Sequence, residues 1–304
     1  MSEKVPKIAV LLAAYNGEKF IQRQIITILE QKNVHVTIFI SIDKSSDNTE
    51  AIVDGLINKY NNIVKLDHNY SFGKASLNFF YLIKKVNFKN FDYISFSDQD
   101  DLWFDFKLKR ATLILEEMKT EAYSSNVLSK QIDKDRTQLI KKNYPQTKYD
   151  YLFESAGPGC TYVIGIELAN KIKYLIEKEW NEIKALNHWD WFIYAFVRSH
   201  NNKWIIDDKC TMIYVQHENN EMGANNNIKA IVKRAKMLFS SYWFNQSVQI
   251  VHRLKLTNDP FCKNFINLDK SSFFHLAKNA ISCRRKLFDK IIFLNVCLLM
   301  TLIS

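Results

Sequence analysis

A chain of 304 residues is long enough for one large domain, or for a domain with an appendage. Apolar residues make up 47% of it and charged residues 24%, which excludes wholesale disorder. The net charge of +10 resides in the tail: residues 228–304 hold thirteen Lys or Arg against Asp259, Asp269 and Asp289, so the first 227 residues are electrically balanced.

The chain begins with alternating strands and helices. KIAVLLAAY (7–15) and VHVTIFISI (34–42) read as buried strands, EKFIQRQIITILEQ (18–31) and DNTEAIVDGLINKY (47–60) as amphipathic helices, and NIVKLD (62–67) and DYISFS (92–97) as further strands. Asp47 followed by Glu50 resembles a capping box at a helix start. This alternation predicts an α/β fold with a mainly parallel sheet flanked by helices, and in such sheets ligands bind beyond the carboxyl ends of the strands. Three polar clusters fall at those ends, AAYNGE (13–18), DKSSDNT (43–49) and SDQDD (97–101), and are expected to converge on one crevice.

Residues 122–150 carry a weak, polar pattern and read as a surface insertion or mobile loop. GPGCTYVIG (157–165) reads as a glycine-rich turn entering a strand, followed by helices over 167–178 and 188–199 and two short strands around KWIID and CTMIYVQH. Beyond Gly223 basic helix is expected to dominate, so the predicted domains are 1–227 and a helical basic C-terminal region, 228–304. The five cysteines are odd in number and contain no C-x-x-C pair, which favours reduced thiols over a disulfide framework or a zinc site. The first apolar run leads straight into polar residues with no small-residue cleavage site, so the protein is expected to stay in the cytoplasm.

Asp98, Asp100 and Asp101 crowd three like charges into four positions at a strand end. Side chains two apart in an extended segment share a face, so D-x-D can aim two carboxylates at one point. A hard cation such as Mn²⁺ or Mg²⁺ would relieve the crowding, since it takes oxygen ligands together with substrate phosphates. The structural alternative is an acidic turn that caps the next helix through Asp101 or Asp105.

From residue 7 to about 223 the chain resembles the family 2 glycosyltransferases of the GT-A fold, in particular their bacterial rhamnosyltransferase-like branch. The resemblance rests on six ordered segments: AVLLAAYNGEKFIQRQIITILEQ, SIDKSSDNT, SFSDQDDLW, GPGCTYV, HWDWFIYAF and YVQHENNEMGA. It implies a metal-dependent, inverting transfer of a sugar from a nucleoside diphosphate to a glycan or lipid-linked acceptor in cell-surface polysaccharide synthesis. Rhamnose from dTDP-rhamnose is the favoured donor, with a UDP-hexose as the alternative. Ala13, Ala14 and Tyr15 would line the nucleotide, and Asp43 would accept a hydrogen bond from the base. Asp98 would reach the ribose or the metal, Asp100 would bind the metal bridging the phosphates, and Asp101 would touch the sugar or fix the loop.

Asp190 is the expected general base, because an inverting transfer needs a carboxylate opposite the leaving diphosphate. Its neighbours Trp189 and Trp191 are expected to shield it, raise its pKa and offer a surface to a sugar or acceptor. The bland reading makes Asp190 a helix-start residue between core tryptophans. Lys74, in the loop NYSFGKASLN, is expected to face the donor. His217 is expected to serve the metal or a phosphate, a structural histidine being the alternative.

The tail has Lys and Arg on one side and large apolar residues on the other in IKAIVKRAKMLFSSYWF and CRRKLFDKIIFLNVCLLM. That make-up suits an anionic membrane surface, and it points to a peripheral location at the inner face of the cell membrane. A solvated helical cap or a dimerisation element would use the same residues. The run IIFLNVCLLMTLI is too short to cross a bilayer comfortably. Nucleic acid is the rival partner for the positive charge, but no recognised nucleic-acid-binding motif is present and the predicted crevice is acidic, so none is expected. A catalytically silent sugar-nucleotide or nucleic-acid binding protein of the same fold is the rival from another class.

Overall fold

The computed structural model describes residues 4–68, 71–131, 137–216 and 242–303. The chain forms two compact units, one of Met1–Asn143, Gly157–Asp190 and Asn201–Gly223, the other of Tyr144–Ala156, Trp191–His200 and Ala224–Ser304. The second unit thus includes two segments from within the stretch read as the first domain.

The first unit is built on a sheet whose strands, among the described residues, run in the order β3-β2-β1-β4-β8-β6-β9-β5, with β7 beside β6. The central strand β1 (Lys7–Ala14) pairs in parallel with β2 (His35–Ile42) and β4 (Tyr93–Ser97), and β2 pairs in parallel with β3 (Ile63–Lys65). Ile8 to Leu12 are wholly buried, as expected of a parallel strand covered on both faces. Helix α1 (Ile21–Leu29) supplies one cover through Ile21, Gln24, Ile25 and Ile28, a spacing that places all four on one helical face. Helices α2 (Thr49–Ile57) and α3 (Ala75–Lys85) follow the next two strands of this half.

Beyond β4 the sheet is mixed. Strand β8 (Val163–Gly165) runs antiparallel to β4 and to β6 (Ala122–Gln131), whereas β6 runs parallel to β9 (Trp204–Gln216). The short β5 (Leu102–Trp103) and β7 (Thr137–Ile140) are antiparallel to β9 and β6. Residues 122–131 are therefore a buried strand and not a surface loop. The polar pattern is misleading because its polar side chains have partners within the unit: Trp204 Nε1 donates to Ser124 Oγ at 2.9 Å, Ser125 pairs with Thr211, and Asn126 accepts from Lys142 N and donates to Asp208 O. The two strands expected near 204–217 are one strand, irregular where Ser125 faces Asp207 and Asn126 faces Cys210.

Asp47 and Glu50 form no capping box. Asp47 accepts from Thr49 N and from Glu18 N, joining two loops, while Glu50 pairs with Lys65. Helix α4 (Lys107–Glu117) has no side-chain cap, and Asp105 pairs with Lys32 instead. On that helix Arg110 grips the buried Asp207 of β9 through Nε at 2.6 Å and Nη2 at 2.8 Å, and Tyr123 OH donates to the same carboxylate.

Helices α5 (Ile166–Lys178) and α6 (Trp180–Ile183) belong to the first unit. Helix α7 (Trp189–Ser199) begins there and continues in the second. The second unit contains α8 (Tyr242–Arg253), α9 (Lys270–Lys278), α10 (Ala280–Cys283) and α11 (Leu287–Ile303) around a core that includes Phe153, Phe244, Phe261, Phe265 and Phe273. The wholly buried Asp150 lies in that unit, accepting from Tyr194 OH at 2.7 Å and from Arg198, with Arg285 at 3.6 Å. No helix among the described residues is long and apolar enough to cross a membrane.

Burial pushes the Asp207 carboxyl up, but hydrogen bonds from Arg110 and Tyr123 outweigh it and hold its pKa below the ordinary value of 3.8. The stabilisation is therefore complete above that value and is lost as pH falls through the folded-state pKa. Asp207→Asn is expected to lower the unfolding free energy by about 2 kcal/mol at pH 7. In urea titrations the difference from the parent should shrink below pH 3.8.

Candidate active site

The three polar clusters converge at the carboxyl ends of β1, β2 and β4, joined by side-chain to backbone bonds. Tyr15 N donates to Gln99 Oε1 and Gln99 Nε2 donates to Tyr15 O, both at 2.8 Å. Asn16 N donates to Ser45 Oγ, Ser46 N to Asn16 Oδ1, Gly17 N to Thr49 Oγ1 and Asn48 N to Glu18 Oε2. Such bonds satisfy loop amides that have no strand partner. Ala13 and Ala14 end β1 opposite Ser41 and Ile42 and are buried, while the Tyr15 side chain is 56% exposed.

Asp43 is buried, and its carboxylate organises the neighbouring loop. Oδ1 accepts from Lys44 N, Ser71 Oγ and Phe72 N, and Oδ2 accepts from Gly73 N. Burial pushes this group up, but these bonds outweigh it and keep its pKa below the ordinary carboxylate value. The Lys74 ammonium donates to Ala185 O, Leu186 O and Asn187 Oδ1, holding the segment that enters α7. Leu186 O also accepts from Ser76 Oγ.

Behind the acidic loop, the amide of the buried Gln24 donates to Asp101 O and accepts from Ser97 Oγ and Trp103 Nε1. Asp98 is half-buried, and Asp100 and Asp101 are buried. One ligand atom each from Asp98, Asp101 and Cys160 lies within 4.8 Å of the others. Asp100 is outside that group, and His217 lies outside the described residues. Burial, followed by the charges of Asp100 and Asp98, pushes Asp101 well above its ordinary pKa, against the pull of the Cys160 thiol and Val215 N–H. Burial and the Asp101 and Asp98 charges likewise push the Cys160 thiol up.

Lys107 is a basic side chain within electrostatic range of Cys160 and Asp101. It is fully buried with Nζ 3.6 Å above the Trp103 ring, and burial lowers its pKa to about 7 against the pull of Cys160 and Asp101. Carboxylate oxygens of Asp98 and Asp101 within 4.8 Å of one another repel, and a divalent cation between them would relieve that repulsion. The protonated thiol is a poor ligand for a hard ion. The carboxylates of this loop therefore fit a hard divalent metal.

The turn Gly159–Thr161 connects this cluster with the start of α7. Cys160 faces the acidic loop, and a Cβ on Gly159 would lie 2.3 Å from the Trp189 ring and 3.0 Å from Asp190 Cβ. Only a residue without a side chain allows that approach. Trp189 is a core residue, stacked on Phe79 at 4.2 Å and tilted against Phe96 at 4.6 Å, so it does not present an open face to a sugar. Trp191 is likewise buried, in the second unit, where Nε1 donates to Tyr151 O. Asp190 remains half-exposed at the helix start. Burial lowers the pKa of the adjacent His188, Asp190 pulls it up, and Lys74 lowers it further.

Residues 9–175 match the family described as Glycosyl transferase family 2. A dTDP-rhamnosyl transferase, RfbG, from Shigella flexneri is 40% identical over 289 residues, which cover 95% of this chain and 99% of that protein. The chain belongs to glycosyl transferase family 2. Its fold is similar to that of S. aureus TarS 1-349 solved in complex with UDP, at a TM-score of 0.55 and 15% identity, over 98% of this chain and 92% of that one. The same TarS region solved with UDP-GlcNAc gives a TM-score of 0.53 and 16% identity, over 91% and 81% of the two chains. The protein is thus a glycosyltransferase of GT-A fold.

Gln99, Gly159, Cys160 and His188 are the site residues that motif reading missed as individuals. Gly159 and Cys160 fall in the GPGC turn, and Gln99 lies between two of the acids, but their roles depend on contacts distant in sequence. Gly159→Ala is expected to displace Trp189 and Asp190, lowering the transfer rate at least tenfold and the melting temperature as well. Gly55→Ala is the control: Gly55 lies in α2 with no atom within 4 Å of an added Cβ, so full activity and a gain of about 0.5–1 kcal/mol are expected from urea denaturation.

Proposed function

We propose that this glycosyltransferase moves rhamnose from dTDP-rhamnose, with inversion, to a glycan or lipid-linked acceptor in cell-surface polysaccharide synthesis. The 40% identity to a dTDP-rhamnosyl transferase over nearly the whole of both chains supports the donor. The observation that carries the mechanism is the Gly159–Thr161 turn, which adjoins the acidic loop on one side and Asp190 on the other. A donor diphosphate at the loop and a base at Asp190 are then near neighbours within one unit.

In this reading Tyr15 offers its exposed ring to the thymine, and Asp43 Oδ2, which accepts only from Gly73 among the described residues, has capacity for a base N–H. Asp98 and Asp101, with Asp100 beside them, hold Mn²⁺ or Mg²⁺. When bound, that cation supplies positive charge to the departing diphosphate. Asp190 takes the proton of the acceptor hydroxyl as its oxygen attacks the anomeric carbon. Lys74 and Ser76 hold the 185–187 segment and so fix where Asp190 stands.

Asp98→Asn is expected to weaken Mn²⁺-dependent donor binding at least tenfold in calorimetry. Asp190→Asn should bind donor within about twofold of the parent while its turnover falls roughly 10²- to 10⁴-fold. Near-normal turnover by that variant would reject the base assignment, and a panel of nucleotide sugars assayed alongside tests the donor.

The reading also places the enzyme in the cytoplasm at an anionic membrane. Helix α11 keeps Cys297 and Met300 inside but leaves Leu287, Phe288, Ile291, Leu298, Leu302 and Ile303 exposed, with the exposed Lys286 just before the helix and the half-buried Lys290 on it, whereas Arg285 is buried against Asp150 and Glu154. An apolar face beside basic residues suits an anionic lipid surface. The full chain should float with vesicles containing phosphatidylglycerol at low salt, and Phe288→Glu/Ile291→Glu should abolish flotation without changing activity on a soluble acceptor. Equal flotation of the variant would remove the membrane assignment.

A further inference from the structure

Gln99 stands between Asp98 and Asp100, and both polar atoms of its side chain bond to the backbone of Tyr15. The side chain thereby turns to β1. The parallel pairing of β1 with β4 ends at Leu12 opposite Ser97, and the loops beyond diverge. At Tyr15 the Gln99 amide accepts from the backbone N–H and donates to the backbone carbonyl, both at 2.8 Å. It thereby engages both polar groups of one peptide residue, as a neighbouring strand would.

The surroundings are shaped around this contact. A Cβ on Gly17 would lie 2.3 Å from Gln99 Oε1 and 2.7 Å from its Cδ, so glycine makes room for the amide. Asn16 adopts a left-handed φ of 45°, which directs its own amide N–H to Ser45 and its side chain to Ser46 N. The turn carrying Tyr15 is thus held from β4 by one side chain and from the β2 side by several. The Tyr15 ring itself remains largely exposed.

We infer that Gln99 is a positioning residue that couples the acidic loop to the nucleotide platform, so that a cation at the carboxylates tightens nucleotide binding at Tyr15. The inference rests on the metal and nucleotide roles proposed above and extends them to a linkage between the two subsites. A cation on the carboxylates restrains the backbone that carries Gln99, and the two bonds of its amide extend that restraint to Tyr15. Linkage of this kind is reciprocal and commonly amounts to a 5- to 150-fold change in affinity.

The test is a calorimetric measurement of dTDP affinity on the full chain, with and without saturating Mn²⁺, for the parent, Gln99→Ala and Gln99→Glu. In the parent, Mn²⁺ is expected to tighten dTDP about tenfold or more. In Gln99→Ala that gain should fall by about threefold or more, the remainder coming from direct attraction between the cation and the diphosphate, with the metal-free affinity changed much less. Gln99→Glu keeps an acceptor for Tyr15 N–H but loses the donor to its carbonyl, so an intermediate gain is expected, and it also serves if the alanine variant fails to fold. If Gln99→Ala weakens dTDP by the same factor with and without Mn²⁺, or leaves the gain intact, Gln99 has only a structural role and the inference is overturned. If Mn²⁺ fails to tighten dTDP in the parent, the metal reading falls and the coupling with it, an outcome distinct from a gain that survives loss of Gln99.

Discussion

Three carboxylates at the end of one buried strand are the constraint to which the rest of the first unit responds. Asp98, Asp100 and Asp101 follow a strand whose preceding four residues are buried, so water cannot fully screen their repulsion. The fold distributes the strain. Asp101 shifts toward its protonated form, Cys160 keeps its proton, and Lys107 sits buried against Trp103 within electrostatic range. Gln24 anchors the backbone from behind without touching the charges. A loop held this way keeps its acids gathered before any ligand arrives, which is the condition for electrostatic stabilisation without reorganisation during reaction.

The second unit handles buried charge differently. Asp150 is as buried as Asp101, but Arg198, Arg285 and Tyr194 surround it with donors. Burial still pushes its pKa up, against the pull of both arginines. A carboxylate enclosed by donors serves structure, here joining segments 144–156 and 191–200 to the C-terminal helices of the same unit. A carboxylate crowded by other acids and shifted toward its protonated form is suited to a cation. The contrast between Asp150 and Asp101 separates the two uses of a buried acid in one chain.

Much of the first unit was legible in the sequence where local physics and tertiary context agree. Strands β1 and β4 are buried on both faces and β2 in part, all three read as apolar runs, and the polar clusters after them meet as expected. Strand β6 was not legible, because Ser124, Ser125 and Asn126 look like loop residues until Trp204, Thr211 and Asp208 arrive from about eighty residues away. The Asp47–Glu50 box failed for the same reason: Glu18 and Lys65 compete successfully for the two carboxylates. The contacts of Lys74 were not legible either, because the three acceptors its ammonium reaches at 185–187 lie about 110 residues away.

These contacts share a direction. Asp43, Asp47, Lys74 and Gln99 are polar residues at the mouth of the sheet, the position where ligand contacts are expected, and each is engaged with backbone from another loop. Loops that leave a parallel sheet lose their ladder partners, so their amides and carbonyls must find side chains. A motif shows the chemistry of such side chains but not the backbone they serve, which lies in another segment. The groups left half-exposed or exposed around them are Tyr15, Asp98 and Asp190. A rigid frame of side chains committed to backbone fixes the geometry of the groups it surrounds, and precise placement of reacting groups is where an enzyme gains most over solution chemistry.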